Sequence, residues 1–113
     1  MTDDFEALTV DQYVREAART DQRKGPGTIG FTMLGLVGET GSLLAEAKKK
    51  QRDAASYLGY AEAVAEEIGD VLWYLAAVAR RHRLALSDIA AAALITHGVY
   101  RAGDNAALSL HAL

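Results

Sequence analysis

The chain has 113 residues, the length of one domain with a single core. Half of the residues are apolar and only one is proline, which points to an all-α protein occupying residues 1–113 as a single domain. A formal charge of -3 argues against a broad basic surface for a nucleic acid polymer, and the absence of cysteine excludes disulfides, thiolate metal sites and a cysteine nucleophile. The longest uncharged apolar run, Val71 to Ala79, is far below the roughly 20 residues that span a bilayer, and MTDDFEAL at the start is acidic rather than signal-like. The expectation is a soluble cytoplasmic protein with no membrane partner.

In chain order, a first helix opens at Thr9, where Gln12 three positions later completes a capping pair and Leu8 can staple onto Tyr13. It should run to about Arg19 or Thr20, with Val10, Tyr13, Val14, Ala17 and Ala18 inward. Gly25-Pro26-Gly27 cannot continue a helix. The loop around it carries Arg23 and Lys24, which read either as solvated charges or as a flap reaching phosphate. A second helix is expected from Thr28 or Phe31 to about Lys50. Gly35, Gly38 and Gly41 each cost it roughly 0.5 to 1 kcal/mol against alanine, so they call for close helix packing or room for a ligand. Lys48, Lys49 and Lys50, with Arg52 beyond, either complement the helix dipole or hold phosphates.

The third helix is expected from about Leu58 to Arg83, with Val64, Ile68, Val71, Leu72, Leu75 and Val78 as its apolar stripe. Trp73 reads as core, and Tyr74, with its polar tip, as the residue to stack on or hydrogen bond a base or sugar. Arg80, Arg81, His82 and Arg83 suit a helix C-terminus. A fourth helix should be capped by Ser87 and run towards Tyr100 and Arg101, stopped by Gly103-Asp104-Asn105.

The chemistry lies in carboxylates placed inside apolar runs: Glu39 in GLVGETGSLLAE, and Glu66, Glu67 and Asp70 in EEIGDVLWYLAAVA. If residues 51–57 form the turn of an antiparallel hairpin, positions whose numbers sum to about 109 face each other. Glu39 then meets Asp70, and Ser42 meets Glu67. Crowded carboxyl oxygens fit a hard divalent cation, Mg²⁺ or Mn²⁺. Glu46, one heptad after Glu39, reads equally as a further acid of the site or as a partner for Lys49 or Lys50. There is no Glu-x-x-His pair for a di-iron bundle, no GxSxG elbow and no P-loop.

GLVGETGSLLAE, EEIGDVLWYLAAVA and the LSDIA that opens the last helix resemble the MazG-like all-α nucleoside triphosphate pyrophosphohydrolases over roughly residues 30–92. The resemblance implies a four-helix MazG-like bundle completed by oligomerisation, as a homodimer or homotetramer. It also implies Mg²⁺-dependent cleavage of a nucleoside triphosphate to the monophosphate and pyrophosphate. Metal ligands would be Glu39, Glu67 and Asp70, with Ser42, standing where the family has glutamate, binding through its hydroxyl or a water. Glu66 or Glu46 would orient the attacking water, Lys48, Lys49 and Arg52 would steady the phosphates, and Tyr74 would hold the nucleoside. Ala93 and Thr96 stand where many relatives carry Asn and Lys. Two alternatives remain beside this: a non-catalytic helical module that binds nucleotide or protein, and hydrolysis of phosphoribosyl-ATP on the same scaffold.

Overall fold

The computed structural model describes residues 7–25 and 27–98, and over them the protein is all-helical, with four α-helices and no strand. These are α1 (Val10–Thr20), α2 (Thr28–Asp53), α3 (Tyr60–Arg81) and α4 (Leu86–Thr96), with a single 3₁₀ turn at Ala54–Ser56 between α2 and α3. The expected stop at Gly103-Asp104-Asn105, together with Tyr100 and Arg101, falls outside the described residues.

The start of α1 follows its sequence signal. Thr9 Oγ1 accepts from the Gln12 amide at 3.1 Å, and Gln12 Oε1 accepts from the Thr9 amide at 2.8 Å, so two orphan donors of the first turn are satisfied reciprocally. The other boundaries move. α2 continues three residues past Lys50 because the reversal is made by Ala54 at φ 48° and the 3₁₀ turn, and α3 starts at Tyr60 after Gly59. α3 stops at Arg81: the Arg83 amide donates to Arg80 O and the Leu84 amide to Ala79 O, both at 2.9 Å, with Arg83 itself left-handed at φ 58°. That is the paired bonding of a Schellman closure, formed here without glycine.

Ser87 does not cap α4, contrary to the sequence expectation. The helix begins one residue earlier, after Ala85, and the Ser87 hydroxyl donates to Asp11 Oδ1 of α1 at 2.9 Å. A hydroxyl inside the first turn no longer points at the free amides, and it ties two helices together instead. The same helix ends at Thr96 rather than near Tyr100, because Gly98 turns left-handed at φ 77°.

α2 and α3 pack as an antiparallel hairpin, and α1 and α4 lie against α3. The apolar core of the described residues is thin: Ala17, Ala76, Ala77 and Ala79 are its buried members, and no large side chain is fully buried. Val64, Val71 and Val78 of the expected α3 stripe are half-buried, while Ile68, Leu72 and Leu75 stay 39–52 % exposed. Leu72 and Leu75 border an apolar cleft of about 500 Å³ that Leu8, Tyr13, Leu86 and Ile89 also line. By length and composition α2 is apolar enough to cross a membrane, a property that the run Val71 to Ala79 understated.

Polar ties do much of the fastening. Asp21, whose side chain is only 4 % exposed, follows α1 and receives Arg80 at 2.6 Å, the Arg81 guanidinium and the Arg23 amide at 3.1 Å. Trp73 Nε1 donates to Thr20 Oγ1 at 2.7 Å beside it. The Arg80 and Arg81 end of α3 is therefore an internal anchor and not a solvated basic tail. Burial pushes the Asp21 carboxyl up, but the Arg23 amide and the two guanidiniums outweigh it and hold it below its ordinary 3.8. A depressed carboxylate contributes stability above that ordinary value, and the contribution is lost as pH falls through the lowered one. Asp21→Asn leaves two guanidiniums poorly compensated and should cost about 2 to 3 kcal/mol at neutral pH. Urea unfolding of the two proteins should show that gap, and the gap should shrink below pH 3.8.

Candidate metal centre

Glu39 on α2 and Glu67 and Asp70 on α3 come together. Each offers a carboxylate oxygen, and the three oxygens lie within 4.8 Å of one another. The hairpin register explains this. Positions 39 and 70 sum to 109, and so do Gly35 and Tyr74, one turn away on each helix. A methyl group at Gly35 would overlap the Tyr74 ring, with Cζ at 2.6 Å, so only glycine lets that ring lie on the α2 backbone. The close approach expected of the glycines is thus made by Gly35. Gly38 and Gly41 have open space where a Cβ would stand.

Glu67 carries the electrostatic signature of the cluster. Its Oε2 is buried without a hydrogen-bond partner. Desolvation first, and then the charges of Glu39, Asp70, Glu66 and Glu46, push its carboxyl above the ordinary 4.5. Among the described residues, none of the ion pairs includes Glu39, Glu66, Glu67 or Asp70. Three carboxylate oxygens this close form a donor set of hard ligands that fits Mg²⁺ or Mn²⁺, on residues that include Glu67 with its unpartnered Oε2.

The other expected site residues fall in different places. Ser42 is half-buried on the α2 face that carries Glu39, but its hydroxyl proton is given to Gly38 O at 3.2 Å, so it can offer the centre only lone pairs. Glu66 is exposed on α3 beside Glu67 and outside the triad. Glu46 is buried and committed elsewhere: Oε1 accepts the Tyr57 hydroxyl, and Oε2 accepts Lys49 Nζ at 3.0 Å. Of its two readings from sequence, the pairing with Lys49 is the one formed. A carboxylate with both oxygens so engaged is a poor base, since those hydrogen bonds, Tyr57 first and then Lys49, hold its pKa below 4.5.

Lys48, Lys49 and Arg52 do not reach the triad either. They lie nine to thirteen residues beyond Glu39, roughly 14 to 20 Å along the helix. Lys49 is paired with Glu46, Arg52 grips Asp53 at 2.8 Å, and Lys48 borders a separate surface hollow with both. Tyr74 is held between the helices with one ring face on Gly35 and its edge-to-face neighbour Trp73 at 5.0 Å, so packing takes the surface expected to meet a nucleoside. Nor is the Arg23 loop a free flap, because Asp21 binds it to the far end of α3 and Arg23 sits 4.2 Å above the Phe31 ring.

Sequence reasoning missed Tyr13 and Tyr57. Tyr13 of α1 read as an inner-face aromatic, yet burial and then the Asp70 charge raise its phenol above 10.0, and α1 packs against the helix that carries Asp70. Tyr57 had no sequence signal at all, being a residue of the turn. Glu46 raises its hydroxyl to about 12. No family model, curated protein or solved structure significantly matches this chain.

Two outcomes follow from these charges. A carboxyl whose folded pKa is raised costs stability as pH climbs from the unfolded value, 4.5 here, through the raised one. Glu67→Gln should therefore raise the melting temperature at neutral pH in metal-free buffer, and added Mg²⁺ should stabilise wild type but not the variant, both read by calorimetry. The Tyr57–Glu46 bond stabilises only while the carboxyl is ionised and the phenol protonated. Its contribution is full between the ordinary values 4.5 and 10.0 and is lost below the first and on rising towards 12. Tyr57→Phe should lower the melting temperature on that plateau, and the two proteins should converge on either side of it.

Proposed function

We propose that the protein is a Mg²⁺-dependent nucleoside triphosphate pyrophosphohydrolase of MazG-like type, working in the cytoplasm as a homo-oligomer. The observation that carries this reading is the meeting of Glu39, Glu67 and Asp70 across α2 and α3, with a buried Glu67 oxygen that no protein group satisfies. In the reaction, water adds to the α-phosphorus, the bond to the oxygen bridging to the β-phosphorus breaks, and the products are a nucleoside monophosphate and pyrophosphate. A bound divalent cation supplies charge neutralisation on the phosphoryl oxygens. Glu39, Glu67 and Asp70 hold that position, and Ser42 adds a lone pair or a water. Glu66 is the carboxylate left over next to the triad to take a proton from the attacking water, since Glu46 is occupied by Tyr57 and Lys49. The oligomer is supported by the thin core and the large exposed apolar side chains.

One observation favours a second reading, a module that binds nucleotide without turnover: the residue facing Glu67 is a serine whose proton is spent on its own helix. The two readings separate in one experiment. Ribo- and deoxynucleoside triphosphates, and phosphoribosyl-ATP, are incubated with the protein and Mg²⁺, and pyrophosphate is assayed. Pyrophosphate release that falls by more than about a hundredfold, some 2.7 kcal/mol, in Glu67→Gln or Asp70→Asn supports catalysis. Nucleotide binding without release, unchanged by Ser42→Glu, supports the module.

A further inference from the structure

Two of the three clustered carboxylates belong to one helix and one to the other. Glu67 and Asp70 keep their spacing as neighbours three apart on α3, so helix separation sets only how near Glu39 of α2 comes to them. That separation is fixed one turn away, about 6 Å along both axes, where Gly35 and Tyr74 meet. A Cβ at Gly35 would stand 2.6 Å from Tyr74 Cζ and 2.7 Å from Cδ1, against about 3.5 to 4.0 Å for carbon atoms in contact. The ring is braced as well: it meets Trp73 edge to face at 5.0 Å, and the Trp73 indole is held to Thr20 by its 2.7 Å hydrogen bond. A methyl group at this position would therefore part the helices by about 1 Å. Gly38 and Gly41, in the same helix, have open space where their Cβ would stand.

We propose that Gly35 is a positioning residue that sets which divalent cation the centre takes, a role that rests on the cation reading given above. Ion size decides it. Oxygens on opposite sides of Mg²⁺ are at most about 4.2 Å apart, since each bond is about 2.0 to 2.1 Å, whereas those around Ca²⁺, with bonds of about 2.3 to 2.6 Å, reach about 5 Å. The three oxygens lie within 4.8 Å of one another, so a small inward movement of the side chains closes them on Mg²⁺. With the helices about 1 Å further apart, Glu39 falls short of the smaller ion first. Ca²⁺ also accepts irregular coordination, while Mg²⁺ demands a near-ideal octahedron. Gly35 itself touches no cation, and it acts through the Tyr74 ring and the distance between the two backbones. Helix propensity alone favours alanine at this position, so the close approach is what the glycine supplies.

Titration calorimetry with Mg²⁺ and with Ca²⁺, each alone and without nucleotide, tests this. Gly35→Ala should raise the Mg²⁺ dissociation constant at least about tenfold and that for Ca²⁺ no more than about threefold, while circular dichroism keeps the helical signal. Tyr74→Trp, which wedges the helices from the other side, should shift the ratio of the two constants in the same direction. Gly38→Ala and Gly41→Ala make the same chemical change in open space and should leave both constants as in wild type. Adding Tyr74→Leu to Gly35→Ala removes the ring that the methyl group strikes and should bring the Mg²⁺ affinity back to within about threefold of wild type. A Gly35→Ala protein that binds both ions like wild type overturns the proposal, because the ring has then moved aside without parting the helices. So does an equal loss of both ions, the mark of general loosening. A wild type that takes up neither ion instead removes the metal centre itself, and the role of Gly35 with it.

Discussion

The contact on which the rest depends is the Tyr74 ring lying on the backbone of α2 at Gly35. Helix axes normally stay 8 to 10 Å apart because side chains hold them there, and the lack of one at Gly35 lets a large aromatic fill the space directly against the other backbone. Because this contact and the pair Glu39 and Asp70 share one register, it sets which residues face one another a turn further along. Any slip of the hairpin would carry Glu39 past Asp70 and lift Tyr74 off its slot together. Packing and site geometry are therefore one constraint.

Elsewhere among the described residues, polar groups tie the helices together. Asp21, Arg80, Arg81, Thr20 and Trp73 bind the end of α1 to the end of α3, and Ser87 and Asp11 bind α4 to α1. Buried charged groups give little net stability over apolar packing, but they tolerate few alternative arrangements, because a guanidinium shifted by one turn loses its carboxylate. These ties fix where the helices sit, while the exposed leucines leave apolar burial unfinished in one copy.

What could be read from sequence was what local chemistry or strict periodicity decides. The capping pair at Thr9 is set within four residues, and the hairpin register follows once one turn is located, so the acids could be matched from numbers alone. Ser87, Tyr57 and the arginines of α3 could not be read in this way. Each has a local role that is sound in isolation, as a cap, a loop residue or a charge at a helix end, and in each a group distant in sequence wins the competition. Lys48, Lys49 and Arg52 show the limit from the other direction: cations near the acids in sequence are taken along the helix axis, away from them.

The arrangement of charge leaves the acidic cluster with few ways to be neutralised. The described cations that form ion pairs are spent on Glu16, Asp21, Glu46 and Asp53. Protonating Glu67 relieves only part of the repulsion, since Glu39 and Asp70 remain beside it. A cation small enough to lie among three oxygens within 4.8 Å of one another would offset their repulsion, and more so with two positive charges than with one. Under the proposed function, a divalent cation held there would let a polyphosphate approach a cluster that would otherwise repel it.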